Sequence, residues 1–272
     1  MAQTKNQIRE LLERARTRPK HRFGQNFMVD GNLTRVVADA GELTPDDTAL
    51  EVGPGTGTLT DELLERAGKV VAFEIDRDLA TLLRTRMDDP RFELIEGDAL
   101  SNKHTLHPRL AELAPAGKLV ANLPYNIASP LIIELLAGGC GLLAFTVQKE
   151  VADRLSAGPG SKIYGPLSVM AQALGSVEVM RTLPASAFWP PPKIVSSLVR
   201  IRRSPRVEDA AGFGVFVGRL FQQRRKMLRA IINVPAGFDE TVRPERLSVD
   251  ELIALHGFVA VDDDTRENRA GQ

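Results

Sequence analysis

The chain holds a single cysteine, Cys140, among 272 residues. That excludes a disulfide framework and any cysteine-rich zinc site, and it fits a reducing compartment. Histidine is scarce too: there are four, none paired as H-x-x-x-H, so no metal site is expected. No apolar run approaches the ~20 residues of a membrane-spanning helix. No apolar segment before a small-residue cleavage site marks a secretory signal. Net charge is also missing, because Lys plus Arg and Asp plus Glu each number 35. Any nucleic-acid signal must therefore be local. The apolar fraction of 43% and charged fraction of 26% are those of a globular protein with ample core. A cytoplasmic monomer without membrane contact is the expectation. The Arg-rich, amphipathic N-terminus imitates an organellar transit peptide, but Glu10 and Glu13 interrupt it.

Against that background, Asn122-Leu123-Pro124-Tyr125 stands out. It follows the apolar run Lys118-Leu119-Val120-Ala121, which predicts a buried strand ending in a loop. In open α/β sheets that edge is where ligands bind. Asn offers a carboxamide oxygen, Pro shapes a turn whose carbonyls can point inward, and Tyr offers a flat face. A nucleobase amino group needs both acceptors and a ring to stack on. The plainer alternative is an ordinary turn with a core Tyr.

Around it, short apolar runs alternate with amphipathic segments. Residues 6–16 predict a helix with Arg9, Arg14 and Arg16 on its outer face, followed by Arg18, Lys20 and Arg22. Phe23–Met28 is too polar for a core strand and predicts a loop. A helix is expected over 30–40. The strand Thr48–Val52 runs into Gly53-Pro54-Gly55-Thr56-Gly57, and a helix from Thr58 is expected to stop at Gly68. Strand, Gly-rich turn, helix brings a ligand close to backbone N–H groups. The spacing is G-x-G-x-G, not the dinucleotide G-x-G-x-x-G. Strands over 69–75 and 92–98 follow. Glu74, about twenty residues past the first Gly, suits ribose hydroxyls. Asp76 is a natural helix N-cap. Asp98, at the third strand end, suits an adenine amino group or is simply a turn residue.

A helix over 129–136, a strand over 142–148 and helices over 150–155 and 167–174 complete the alternation. Residues 176–183 and 196–202 predict a closing antiparallel pair, with Phe188-Trp189-Pro190-Pro191-Pro192-Lys193 as an exposed rigid loop between them. The fold class is thus α/β, a mostly parallel Rossmann-like sheet with an antiparallel closing strand. Composition shifts at Arg203-Ser204-Pro205, which divides the chain into 1–203 and a small all-α domain over 204–272. There Phe213 to Ile231 predict one helical face, with Arg224, Arg225, Lys226 and Arg229 as a basic block in the same helix. Ser248 caps a last helix expected to end near His256 and Gly257, ahead of a disordered polar tail over 262–272.

Taken in order, these motifs resemble one family: the KsgA-type small-subunit (16S) ribosomal RNA adenine N6-dimethyltransferases. They are Phe23-Gly24-Gln25-Asn26-Phe27, Glu51 to Gly57, Glu74-Ile75-Asp76, Gly97-Asp98-Ala99, Asn122 to Ile127, Gln148 to Val151, Tyr164 to Val169, Phe188 to Lys193 and Gln223 to Lys226. The resemblance runs from Arg22 to about Asp250. It implies a class I methyltransferase fold, S-adenosylmethionine as methyl donor, and dimethylation of two adjacent adenines in the RNA of the 30S precursor. Carried over by position, Asn26, Met28, Gly53, Glu74, Asp98 and Asn122 would contact the donor, with Gly55, Ile75 and Ala99 beside them. Met28 stands where the family usually has Leu, and Val195 where it commonly has Asp.

In that setting the Asn122 oxygen and the Leu123 carbonyl are expected to hold the two N–H bonds of the amine. Tyr125 and Phe188 are expected to stack on the flipped base. Arg18, Lys20, Arg22, Lys162, Lys193, Arg224, Arg225 and Lys226 are the candidate RNA contacts. Three other readings stay open at this point. One is a large-subunit methyltransferase of the erythromycin-resistance group. Another is an assembly factor with secondary methylation. The third, a nicotinamide-dependent dehydrogenase, is opposed by the Gly spacing.

Overall fold

The structure, a computed structural model, describes residues 3–270. In chain order the elements are α1 (Lys5–Arg14), β1 (Phe27–Met28), α2 (Gly31–Ala40), β2 (Thr48–Val52), α3 (Thr58–Leu64), β3 (Lys69–Glu74), α4 (Arg77–Arg86) and β4 (Phe92–Glu96). Then come β5 (Leu100–Asn102), β6 (Thr105–Leu106), α5 (Pro108–Leu113), β7 (Gly117–Asn122), α6 (Ala128–Ala137), β8 (Leu142–Gln148), α7 (Lys149–Leu155) and α8 (Pro166–Leu174). The chain closes with β9 (Gly175–Leu183), β10 (Phe188–Trp189), β11 (Ser196–Arg203), α9 (Ala210–Gln222) and α10 (Val249–Ala270).

One seven-stranded sheet has the order β4-β3-β2-β7-β8-β11-β9. The pairs β2–β3, β3–β4, β2–β7 and β7–β8 are parallel, while β11 joins β8 antiparallel. The parallel strands are nearly continuous apolar runs because helices cover them. Leu33 and Val37 of α2 and Leu59 and Leu63 of α3 share a core with Val70, Val120 and Leu198 of the sheet. Each such Leu contributes roughly 1.5–3 kcal/mol on burial. The chain runs outward from β2 to β3 and β4, then returns to β7 on the other side of β2. The carboxyl ends of these four strands therefore open onto one crevice, the topological switch point of the sheet.

Two compact units emerge. One comprises residues up to Ala152 with Val177–Arg203, the other Asp153–Ser176 with residues from Ser204 onward. A single cut at 203 therefore misses that the segment 153–176 belongs with the C-terminal helices. The reason is Tyr164, fully buried, whose hydroxyl donates to the Leu247 carbonyl at 3.0 Å and whose ring meets Phe221. In the same unit α9 presents Phe213, Val217 and Leu220 inward, and the Ser248–Glu251 capping box starts α10.

Several expectations need correction. Helix α3 stops at Leu64, and Gly68 serves another purpose: a Cβ there would stand 2.0 Å from the Pro45 carbonyl. The hairpin β5–β6 and helix α5 fill a stretch without a clear periodic signal. The basic block Arg224 to Lys226 follows α9 rather than lying in it. That helix ends at Gln222; beyond it the Leu228 N–H donates to the Val242 carbonyl at 2.9 Å, and the Leu228 side chain is buried. Helix α10 continues through Gly257 to Ala270, since one interior Gly costs only about 1 kcal/mol against Ala. The expected disordered tail is thus helical to Ala270, and Gly271 and Gln272 lie outside the described residues. Phe27 and Met28, expected in a loop, pair antiparallel with Trp189 and Phe188. That pairing ties the Pro-rich loop down at its start.

The most unusual core group is Glu51, in the middle of the sheet at 1% exposure. Thr60 Oγ1 donates to its Oε2 at 2.6 Å. Burial, with the nearby charges of Asp61 and Glu74, pushes its carboxyl up to about 8. The unfolded chain releases this proton near 4.5. The unfolded state therefore binds fewer protons across that window, and the fold loses stability as pH rises through it. Glu51→Gln, which mimics the protonated form, is expected to gain on the order of 3 kcal/mol relative to wild type on going from pH 5 to pH 8. Chemical denaturation at both pH values checks this; an equal effect at both would show that Glu51 does not titrate in the fold.

Candidate active site

The crevice is an open pocket spanning ≈ 980 Å³, solvent at its mouth included, and is lined by all four strand ends. Beyond β2 the chain enters the Gly-rich turn, where Gly53 and Gly55 have φ of +76° and +64°. Only Gly adopts such a backbone without strain. A Cβ on Gly55 would also press on the Phe27 ring at 3.0 Å. The turn thus keeps bare backbone against the cavity. Beyond β3, Glu74 is 4% exposed and accepts from the Gly55 N–H at 3.2 Å and the Asp76 N–H at 2.9 Å. Burial, then the neighbouring Asp76 charge, pushes it up to about 7 against those hydrogen bonds. Beyond β4, exposed Asp98 accepts from the Leu100 N–H at 3.0 Å. Ile75 and Ala99 line the wall beside these acids.

At the end of β7, Asn122 donates from Nδ2 to the Asn26 carbonyl at 2.8 Å, and its Oδ1 accepts from Thr146. The Leu123 side chain is buried, so what that residue offers the cavity is backbone. Tyr125 is half-buried, its hydroxyl 2.7 Å from Ser196 Oγ. Opposite, the loop Phe23–Met28 closes the cavity. Its Gly24 carbonyl accepts from Asn26 Nδ2 at 3.1 Å, and Met28 sends its side chain into the core. The structure therefore gathers Asn26, Met28, Gly53, Gly55, Glu74, Ile75, Asp98, Ala99, Asn122, Leu123 and Tyr125 around one space.

Phe188 is not among them. Its side chain is 2% exposed and packs with the core that contains Met28 and Leu33. The β1–β10 pairing turns an apolar ring inward that the sequence places in an exposed loop. Two of the candidate RNA cations are likewise engaged elsewhere. Lys20 Nζ sits 2.6 Å from Asp76 and 2.7 Å from Asp78, and Arg224 pairs with Glu245 at 2.8 Å. Arg18, Arg22, Lys162, Lys193, Arg225 and Lys226 are exposed and form no ion pair within 4.0 Å among the described residues, although the Arg22 charge acts on Asp78 from farther off.

Three functional features escaped sequence reasoning. Asp76 is more than a cap: it also accepts from Lys20 and from Gln25 Nε2 at 2.8 Å, anchoring the loop that closes the cavity. Gln3 exchanges two hydrogen bonds with Thr56 across the Gly-rich turn, at 2.9 and 2.7 Å, and nothing in the sequence signals this pair. Thr146 did leave a signal, since a hydroxyl within the apolar strand Leu142–Val147 must find a partner.

The residues fit a sulfonium nucleoside donor such as S-adenosylmethionine on their own chemistry. Bare backbone at Gly53 and Gly55 allows close approach. Glu74 and Asp98 are acceptors at successive strand ends, the groups that ribose hydroxyls and an adenine amine require. Thr58 Oγ1, buried on the cavity wall, has no hydrogen-bond partner among the described residues. A buried polar atom of that kind calls for a ligand or solvent atom.

Comparison with known proteins gives the same answer. The family model for ribosomal RNA adenine dimethylase matches residues 16–254. The chain is 38% identical over 267 residues to "Ribosomal RNA small subunit methyltransferase A" of Clostridium perfringens, covering 91% of this chain and 93% of the relative. It is 41% identical over 258 residues to the protein of the same name from Hahella chejuensis, covering 88% and 92%. Among solved structures, a dimethyladenosine transferase from Plasmodium falciparum matches with TM-score 0.71 at 24% identity, covering 84% of this chain and 95% of that one. The 23S rRNA methyltransferase ErmE matches with TM-score 0.66 at 26% identity, covering 85% and 98%. With the Asn-Leu-Pro-Tyr corner and the Gly-rich turn facing one cavity, the chain belongs to the ribosomal RNA adenine dimethylase family.

Proposed function

We propose that this protein transfers methyl groups from S-adenosylmethionine to the N6 amino groups of two adjacent adenines in small-subunit ribosomal RNA. The observation that carries the reading is the Asn122-Leu123-Pro124-Tyr125 corner opening on the same cavity as Glu74, Asp98 and the Gly-rich turn. The relatives named above favour the small subunit over the large one. Methylation of isolated 30S precursors against 50S particles separates the two.

When bound, the donor supplies an activated methyl on a positively charged sulfur. What remains for the protein is to prepare a poor nucleophile. The exocyclic nitrogen of adenine has its lone pair delocalised into the ring. Asn122 Oδ1 and the Leu123 carbonyl accept its two N–H bonds, which turns the lone pair out of the ring plane toward the methyl. This is an orientation effect. The same oxygens face positive charge as it grows on nitrogen, which stabilises the transition state. Glu74 takes the ribose hydroxyls and Asp98 the donor's adenine. Tyr125 stacks on the flipped base, worth roughly 1–3 kcal/mol. Stacking is assigned to Tyr125 alone, because Phe188 is enclosed in the core in this conformation. No general base is needed; the proton leaves after transfer.

Three outcomes follow. Asn122→Ala is expected to lower kcat at least 100-fold on 30S precursors, measured by mass spectrometry of nucleosides; near-normal turnover would remove the amine-holding role. Protonating Glu74 removes an acceptor, so donor affinity should weaken about tenfold from pH 8 to pH 6. Calorimetry should also show proton release near pH 7, and both effects should vanish in Glu74→Gln. RNA binding should fall steeply with salt, since neutralised phosphates release counterions. Arg225→Ala or Lys226→Ala should each reduce that salt slope by about one. Lys20→Ala should lower Tm and leave the slope alone, because its charge is already paired with Asp76 and Asp78.

A further inference from the structure

The Asn122 carboxamide is held at both ends, and the two holds differ in consequence. Its Nδ2 donates to the Asn26 carbonyl at 2.8 Å. This settles which end of the amide is nitrogen, since a carbonyl accepts only from a donor. Its Oδ1 accepts from the hydroxyl of Thr146. Thr146 is fully buried and lies in register with Asn122 across the parallel β7–β8 pair. Its neighbours along the strand, Ala144, Phe145 and Val147, are apolar and fully buried, as is Leu198, its partner in register on β11. A hydroxyl in such surroundings costs stability unless it is hydrogen-bonded. Asn122 Oδ1 is the acceptor it has found.

An amide oxygen carries two lone pairs in the amide plane. With one of them taken by Thr146, a single acceptor direction remains. We propose that Thr146 is a positioning residue for methyl transfer: its hydroxyl occupies one lone pair of Asn122 Oδ1 and so aims the other at the substrate amine. The inference rests on the reading of Asn122 as amine acceptor, and it adds a source for that acceptor's direction. Two N–H bonds must be held by two oxygens, and the Leu123 carbonyl is fixed by the backbone. Asn122 is the partner free to rotate about its side-chain torsions. Pinning it from a central strand places the acceptor on the rigid part of the fold rather than on the loop.

The chemistry of the site predicts how this role differs from a structural one. Thr146→Val keeps the β-branched shape and approximate volume on an apolar strand and deletes only the hydroxyl. Thr146→Ser keeps the hydroxyl and deletes a methyl. If Thr146 positions the acceptor, Thr146→Val lowers kcat about tenfold. KM for 30S precursors and Kd for S-adenosylmethionine stay within about twofold. Thr146→Ser returns kcat to within about threefold of wild type. A wild-type kcat in Thr146→Val overturns the proposal. So does a loss in Thr146→Val that Thr146→Ser shares, or one that appears only in donor Kd. Thermal melts accompany each variant; if Thr146→Val melts early, Thr146→Ala against Thr146→Ser, assayed below both transitions, makes the same comparison. Asn122→Ala separates the two levels. If it turns over normally, the amine-acceptor reading falls and takes this one with it. If it is inactive while Thr146→Val is normal, only the role of Thr146 falls.

Discussion

Pairing of β7 with β8 in parallel register is the constraint on which the site depends. It sets Asn122 opposite Thr146 at the carboxyl edge of the sheet, and it does so from strands in the interior of the sheet. A carboxamide carried on a loop would sample several orientations. Here its nitrogen is claimed by one backbone carbonyl and its oxygen by one core hydroxyl. The price is a polar network in an otherwise apolar layer, tolerable because its members satisfy one another.

The same edge explains why two buried carboxylates survive beneath the Gly-rich turn. Glu51 and Glu74 lie near the ends of adjacent strands; burial raises the proton affinity of both, and the Glu74 charge adds to the effect at Glu51. Glu51 is satisfied by Thr60 and stays protonated at neutral pH. Glu74, with two backbone N–H donors, is poised near neutrality. Burial raises both acids; the one that meets backbone amides is held lower than the one that meets a hydroxyl. A ligand that brings hydroxyl donors to Glu74 completes what the backbone begins.

The closing loop shows how a neutral chain organises charge. Lys20 and Gln25 both reach Asp76, and Thr17 reaches Asp78 at 3.1 Å, so the segment after α1 is fastened to the start of α4. These contacts hold Asn26 and Phe27 against the cavity. Lys20, one of the candidate RNA contacts in the sequence, is thus part of the frame around the cavity. Arg18 and Arg22 on either side of it stay exposed, as do Lys162, Lys193, Arg225 and Lys226, and a formal charge of zero conceals them.

Much of this was legible in one dimension. Strand, turn and helix over 48–64, the acid Glu74 at the end of β3, the N-cap Asp76 and the Asn-Leu-Pro-Tyr corner all follow from local rules: period-2 or continuous apolar runs, glycine's backbone freedom, capping chemistry. Such rules act within a few residues, so the sequence carries them directly. What only the tertiary structure decided are pairings between distant residues. Phe188 lies inward because β10 pairs with β1, over a hundred and fifty residues earlier in the chain. The segment 153–176 joins the C-terminal helices because Tyr164 needs the Leu247 carbonyl. Thr146 matters because β7 and β8 bring it beside Asn122. Each of these outcomes depends on which surfaces meet when the chain collapses, and a buried polar group announces only that it needs a partner, never which one.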